Sequence, residues 1–128
     1  MTDAMYDKGL AIRKKVAGEN YVNKVISSAD DFNRPFDELV TSYCWGAVWG
    51  RDGLSLKTRS LLNIVMLTVL NRPAQLKTHV SGALRNGCTE VEIREALMQA
   101  GVYGGVPAAQ EAFRVAREAI VEWTAENE

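Results

Sequence analysis

Pro73-Ala74-Gln75-Leu76-Lys77-Thr78-His79-Val80-Ser81-Gly82-Ala83-Leu84-Arg85-Asn86-Gly87 decides how this chain is read. Pro73 suits the first turn of a helix and Gly87 the position just past its end. On a wheel of about 100° per residue, Leu76, Val80, Ala83 and Leu84 form an apolar stripe. Lys77, Ser81 and Arg85 fall opposite, and Gln75, His79, Gly82 and Asn86 make a third stripe beside the core. His79 is the single histidine of the chain. Imidazole is the side chain whose ordinary titration lies near neutral pH, so a base or acid at the core edge is expected there. The competing reading is a structural histidine, hydrogen-bonded at the core boundary, with Gly82 and Ala83 serving close helix packing.

Outward from this stretch the signals are helical. Before it, Leu61 to Leu70 is apolar on almost every side and predicts a central buried helix over 56–70, capped by Ser55. Residues 4–17 and 20–28 predict two helices separated by Gly18. Asp30 or Asp31 is placed to cap a helix running to about Trp45, with Phe32, Phe36, Leu39, Val40 and Tyr43 at spacings of three and four. Three glycines within 46–54 predict a turn region. After the histidine helix, Thr89-Glu90-Val91-Glu92 is a capping box opening a helix over 89–103. A last helix over 107–124 carries Ala109, Ala112, Phe113, Ala116, Ile120 and Trp123 on one face. No alternating segment competes as a strand. The expected class is all-α, a single domain over 1–128 with six or seven helices.

Bulk properties narrow the function. At 128 residues and 47% apolar content the chain can bury a core of its own. Net charge is −1, with lysines and arginines dispersed, so neither a nucleic-acid surface nor a membrane surface is expected. The longest apolar run falls well short of the roughly 20 residues that span a bilayer. The acidic N-terminus carries no signal-peptide core, which points to a cytoplasmic protein. Cys44 and Cys88 belong to no C-x-x-C. With one histidine they do not make a zinc site of the usual kind, so no metal and no cofactor are expected. Sequence leaves a Cys44–Cys88 disulfide open, although a cytoplasmic protein would not normally keep one. Cys88, just before a helix start, is read either as a thiol influenced by a helix N-terminus or as an inert one.

Tyr43-Cys44-Trp45-Gly46-Ala47-Val48-Trp49-Gly50-Arg51 is the second informative segment. Trp45 and Trp49, beside glycines and Arg51, suit the wall of a pocket for a flat anion, with Arg51 meeting a carboxylate through two hydrogen bonds. The alternative is that both tryptophans anchor the core and Arg51 is solvated.

Six elements in order carry a resemblance. They are Asp30-Asp31-Phe32-Asn33-Arg34-Pro35-Phe36; Trp45-Gly46-x-x-Trp49; Gly53-Leu54-x-x-Lys57-x-Arg59-Ser60-Leu61; Leu76-x-x-His79-x-x-x-Ala83-Leu84-x-Asn86-Gly87; Glu92-Ile93-x-Glu95; and Tyr103-Gly104-Gly105-Val106-Pro107-Ala108-Ala109. In these the chain resembles the carboxymuconolactone decarboxylase family, within the wider AhpD-like group. The resemblance implies an all-helical subunit, a homo-oligomeric ring (commonly a trimer or hexamer), and a cofactor-free decarboxylase with the histidine in its active site. The implied substrate is 4-carboxymuconolactone or a similar lactone acid of aromatic catabolism.

Three departures stand out. The redox-active relatives carry C-x-x-C where this chain has Arg72 and Gln75, so a thiol peroxidase is the weaker alternative. Many family members have Glu at the place of Gln75, which makes another small carboxylic acid, as substrate or ligand, the stronger one. The family's common cysteine after the tyrosine of the last element is Gly104 here. On this reading His79 and Gln75 are the catalytic candidates: His79 to deliver a proton, Gln75 to orient the imidazole or to donate to the dienolate oxygen. Arg51, Arg34, Trp45, Trp49 and Tyr103 are the substrate-binding candidates, and Arg59 is a lesser one.

Overall fold

The computed structural model describes residues 2–127. Among these residues there are seven α-helices and one π-helical stretch, and no strand. The chain gathers into two compact units that divide between Ser55 and Leu56.

In the first unit, α1 (Asp3–Ala17) starts where the Thr2 hydroxyl accepts from the Met5 amide at 3.1 Å. It ends at Gly18, whose φ of 98° suits glycine. Helix α2 (Glu19–Ser28) follows directly. Asp30 does not cap the next helix. Its Oδ1 accepts from the amides of Phe32 and Asn33 and folds residues 30–33 into a turn. Helix α3 therefore begins only at Arg34 and runs to Leu39.

Residues Val40–Val48 then continue as a π-helix, in place of the turn expected from Gly46 onward. Its wider ladder is explicit in the Trp49 amide, which donates to the Cys44 carbonyl five residues back at 3.0 Å. This ladder turns a different face inward from the one the spacing suggested. Thr41, Ser42, Trp45 and Gly46 are buried, while Phe32, Phe36, Leu39 and Tyr43 are exposed. The cause lies in α1. A Cβ on Gly9 would run into the Thr41 carbonyl oxygen, and one on Gly46 would lie 2.5 Å from the Met5 carbonyl oxygen, so the two backbones meet at glycines. Buried Arg13 closes the contact by donating to Asp37 Oδ1 at 3.0 Å and to Thr41 Oγ1 at 2.9 Å.

The second unit consists of α4 (Leu56–Val69), α5 (Pro73–Arg85), α6 (Glu90–Gly104) and α7 (Val106–Glu126). Its core is Ile64 from α4, Leu76, Val80 and Ala83 from α5, Ile93 and Leu97 from α6, and Ala112, Val115, Ala116 and Ala119 from α7. The α5 stripe points inward as its spacing predicts. In α7 the buried face is shifted, with Val115 and Ala119 inside and Phe113 partly out. Small alanines let α7 lie close along its neighbours.

Helix α4 is not buried all round. Ile64 and Thr68 are covered, but Leu62, Met66 and Val69 are exposed. Its inner face is filled by one apolar stripe and small hydroxyls, Ser60 and Thr68, leaving the outer apolar residues uncovered. Asn71 adopts φ 57° in the α4–α5 link, a conformation asparagine tolerates better than most residues. At the other end, Thr89 and Glu92 form the reciprocal capping box that the sequence predicts. Lys57 reaches Glu92 at 3.0 Å and ties α4 to the start of α6.

Candidate active site

His79 sits in the middle of α5, half-buried at the edge of the second unit's core. Asn63, from the middle of α4, faces it, with Nδ2 of the amide 3.5 Å from Nδ1 of the imidazole. Asn63 is a polar residue in the otherwise apolar run from Leu61 to Leu67, and that interruption is the signal by which sequence reasoning could have found it. Two turns further on, Asn86 donates to the buried Ser60 hydroxyl at 3.0 Å, a second amide-to-α4 bond on the same stripe. Gly82, between them, is buried.

Burial has an electrostatic consequence. Loss of solvation pushes the imidazole down from 6.5 to about 4, so His79 is neutral at pH 7. This differs from the ordinary imidazole expected from sequence, whose titration would fall at pH 6–7. Gln75, one turn earlier on α5, is exposed, and so is Tyr103 at the end of α6. Lys77, on the polar side of α5, binds Glu122 at 2.8 Å, and Arg85 lies 5.1 Å over the Trp123 ring. That side of α5 is thereby committed to packing on α7.

The remaining candidates, Arg59 apart, belong to the first unit. Trp45 and Trp49 stack on each other with ring centres 4.7 Å apart, and both are buried. They anchor this unit's core in the first instance. Arg34 donates to the Ala29 carbonyl at 2.7 Å and to Asp31 at 3.3 Å, which closes the turn before α3. Arg51 is exposed just beyond the π-helix, and Arg59 is half-buried in the first turns of α4. Arg13, whose charge is held inside by Asp37, was not singled out from sequence as a buried cation.

Both cysteines are free thiols. Burial is the main cause that raises each above the usual thiol range, and Cys88 donates to the Lys57 carbonyl at 3.6 Å. Raised thiols are poor nucleophiles, which speaks against the thiol-peroxidase alternative and favours the inert reading of Cys88. Among the described residues, no group of three or more His, Cys, Asp or Glu is arranged to hold a metal ion.

A model of the carboxymuconolactone decarboxylase family matches residues 34–118, which takes in parts of both units. The chain is 42% identical over 116 residues to the nitrosuccinic acid decarboxylase of Metarhizium robertsii, covering 91% of this chain and 81% of that protein. It is 37% identical over 113 residues to the 4-carboxymuconolactone decarboxylase of Acinetobacter baylyi, covering 88% of this chain and 84% of that protein. The all-α subunit, the ordered motifs and these matches agree: the chain belongs to the carboxymuconolactone decarboxylase family, and its activity is that of a carboxy-lyase.

Proposed function

We propose that this chain is a cofactor-free decarboxylase of small dicarboxylic acids whose departing carboxylate sits on a carbon joined to an electron sink. The first substrate proposed is 4-carboxymuconolactone or a similar lactone acid of aromatic catabolism. When CO2 leaves, the bonding pair passes through the ring double bond to the lactone oxygen, so the substrate supplies its own sink. The protein must then hold the anion and stabilise charge growing on that oxygen.

The observation that carries the reading is a half-buried, neutral His79 on the core-edge stripe of α5 in a chain of this family. A neutral imidazole is suited to donate an N–H to the developing oxyanion. This revises the proton-donor role expected from an imidazole of ordinary pKa. Carbon is then protonated from water. Gln75 is proposed to support the same oxygen. Arg34 and Arg51 are the proposed carboxylate-holding residues, and Trp45, Trp49 and Tyr103 are proposed to shape the substrate's surroundings.

A second substrate is favoured by one specific finding, the 42% identity to a nitrosuccinic acid decarboxylase. A nitro group beside the leaving carboxylate is an equivalent sink, collecting the pair as a nitronate. Replacement of the frequent Glu by Gln75 fits a changed substrate. Comparing kcat/KM for 4-carboxymuconolactone and nitrosuccinate decides between them.

The test of His79 uses two variants. His79→Leu removes the donor and should lower kcat by about 10² to 10³, the usual cost of one oxyanion donor. His79→Gln retains an N–H and should fall between that variant and wild type. Equal, deep losses in both would return His79 to proton transfer. Turnover within about threefold of wild type in both would make it structural.

We further propose that the chain forms a homo-oligomer, a trimer or hexamer. The apolar side chains it leaves uncovered support this, among them Phe32 and Phe36 in the first unit and Met66, Met98 and Val102 in the second. Free thiols at Cys44 and Cys88 support a reducing, cytoplasmic setting.

A further inference from the structure

We infer that Asn63 is a positioning residue that fixes His79 in the tautomer carrying its proton on Nε2. The inference rests on His79 serving the proposed decarboxylation, and it adds the group that prepares the imidazole for it. The amide nitrogen of Asn63 lies 3.5 Å from Nδ1 of His79. An amide nitrogen only donates, so Nδ1 must be the accepting nitrogen. In a neutral imidazole one ring nitrogen accepts and the other carries the proton, so the proton resides on Nε2.

The position of Asn63 in the fold strengthens the assignment. It occupies α4 one residue before Ile64, which is fully buried, so the backbone that holds the amide is anchored by the core. His79 precedes Val80, also fully buried, on α5. The two core residues fix the two helices, and the amide spans the gap between the side chains beside them. A leucine like the preceding Leu61 and Leu62 would have left the imidazole without a polar partner from this position. Burial adds a complementary effect, since it keeps the ring neutral and a neutral ring has a tautomer to be chosen. Nε2–H is thereby the atom assigned to meet the growing oxyanion, with Nδ1 turned toward α4.

The single histidine makes the test direct. The full-length protein is labelled with 15N-histidine, and its long-range proton–nitrogen spectrum is recorded at pH 7. The expected pattern is a pyridine-like Nδ1 and a protonated Nε2. In Asn63→Asp the carboxylate only accepts, so the proton should move to Nδ1. With whichever of the two acids is turned over, kcat should fall at least about tenfold while KM stays near wild type, as loss of an oriented oxyanion donor requires. A wild-type spectrum with the proton on Nδ1 overturns the assignment without any variant. So does an unchanged tautomer in Asn63→Asp. Should that variant fail to fold, Asn63→Leu serves, and persistence of a purely Nε2–H form in it would likewise remove Asn63 from the role. Failure of the functional reading looks different: the spectra come out as expected, but His79→Leu still decarboxylates at the wild-type rate.

Discussion

At pH 7 the imidazole of His79 carries no charge, and this couples the site to folding. In the unfolded chain the ring titrates near 6.5, and in the folded chain near 4. Between those values the unfolded state holds more protons, so acid pulls the equilibrium toward unfolding. The stability at stake is complete above about pH 6.5 and is lost as pH falls toward about 4. At about 1.4 kcal/mol per pH unit it amounts to roughly 3 kcal/mol at most. Denaturant melts of wild type and His79→Gln across this range should therefore differ in slope, with wild type losing more on acidification. Parallel curves would show that the ring is not desolvated on folding. Much of this residue was legible beforehand: its helix, its stripe and its place at the core edge follow from spacing. Its depressed titration was not, because desolvation depends on how closely α4 and its neighbours cover the ring. Asn63 was legible only as an oddity in an apolar run, since its partner lies 16 residues away on another helix.

Among the elements, those with strong local chemistry were the ones sequence could place. The capping box at Thr89 and the Pro73-to-Gly87 helix behave as their residues dictate. The stretch before Ser55 did not follow its periodicity. Its expected apolar face, Phe32 to Tyr43, is exposed, because glycine contacts with α1 and the buried Arg13–Asp37 pair select another face. Such contacts join residues about thirty apart and leave no local trace. They make a sharp prediction. Gly9→Ala would set a methyl against the Thr41 carbonyl, and overpacking of this kind costs about 1–3 kcal/mol. Thr89→Ala, which removes half of a capping box, should cost about 1 kcal/mol. Chemical denaturation of the two variants checks the ranking, and a Gly9→Ala protein as stable as wild type would contradict the close approach of the backbones. Gly104 has a similar reason: a Cβ there would lie 2.6 Å from Val69 Cγ2.

For the whole molecule, the uncovered apolar residues are the main energetic fact. Leu62, Met66 and Val69 on α4 and Met98 and Val102 on α6 stand in solvent in the isolated chain. A groove of about 510 Å³ lined by Met98, Val102, Val106 and Phe113 adds to them. Exposed patches of this kind mark association surfaces in stable proteins. Sedimentation at micromolar concentration should show a species several times the 14.1 kDa of one chain. A clean monomer would remove the oligomer proposal. Replacing Met66 and Val102 together by Lys should shift the species toward monomer. The oligomer is expected from the family resemblance, but the sequence does not say which surface serves it: the apolar residues on every side of α4 predict burial within one chain. An apolar residue carries no mark of whether its own chain or another will cover it.

The π-helix at Val40–Val48 also bears on how this chain is lined up with others. A helix normally tolerates no gain or loss of a residue, because everything beyond it would rotate by about 100°. A five-residue ladder has one residue to spare in a turn, and deletion there can relax it to the ordinary four-residue ladder while the ends stay helical. A one-position gap against another sequence near Trp45 is therefore a change of helix type, and it shifts the facing of the residues before the gap relative to those after it.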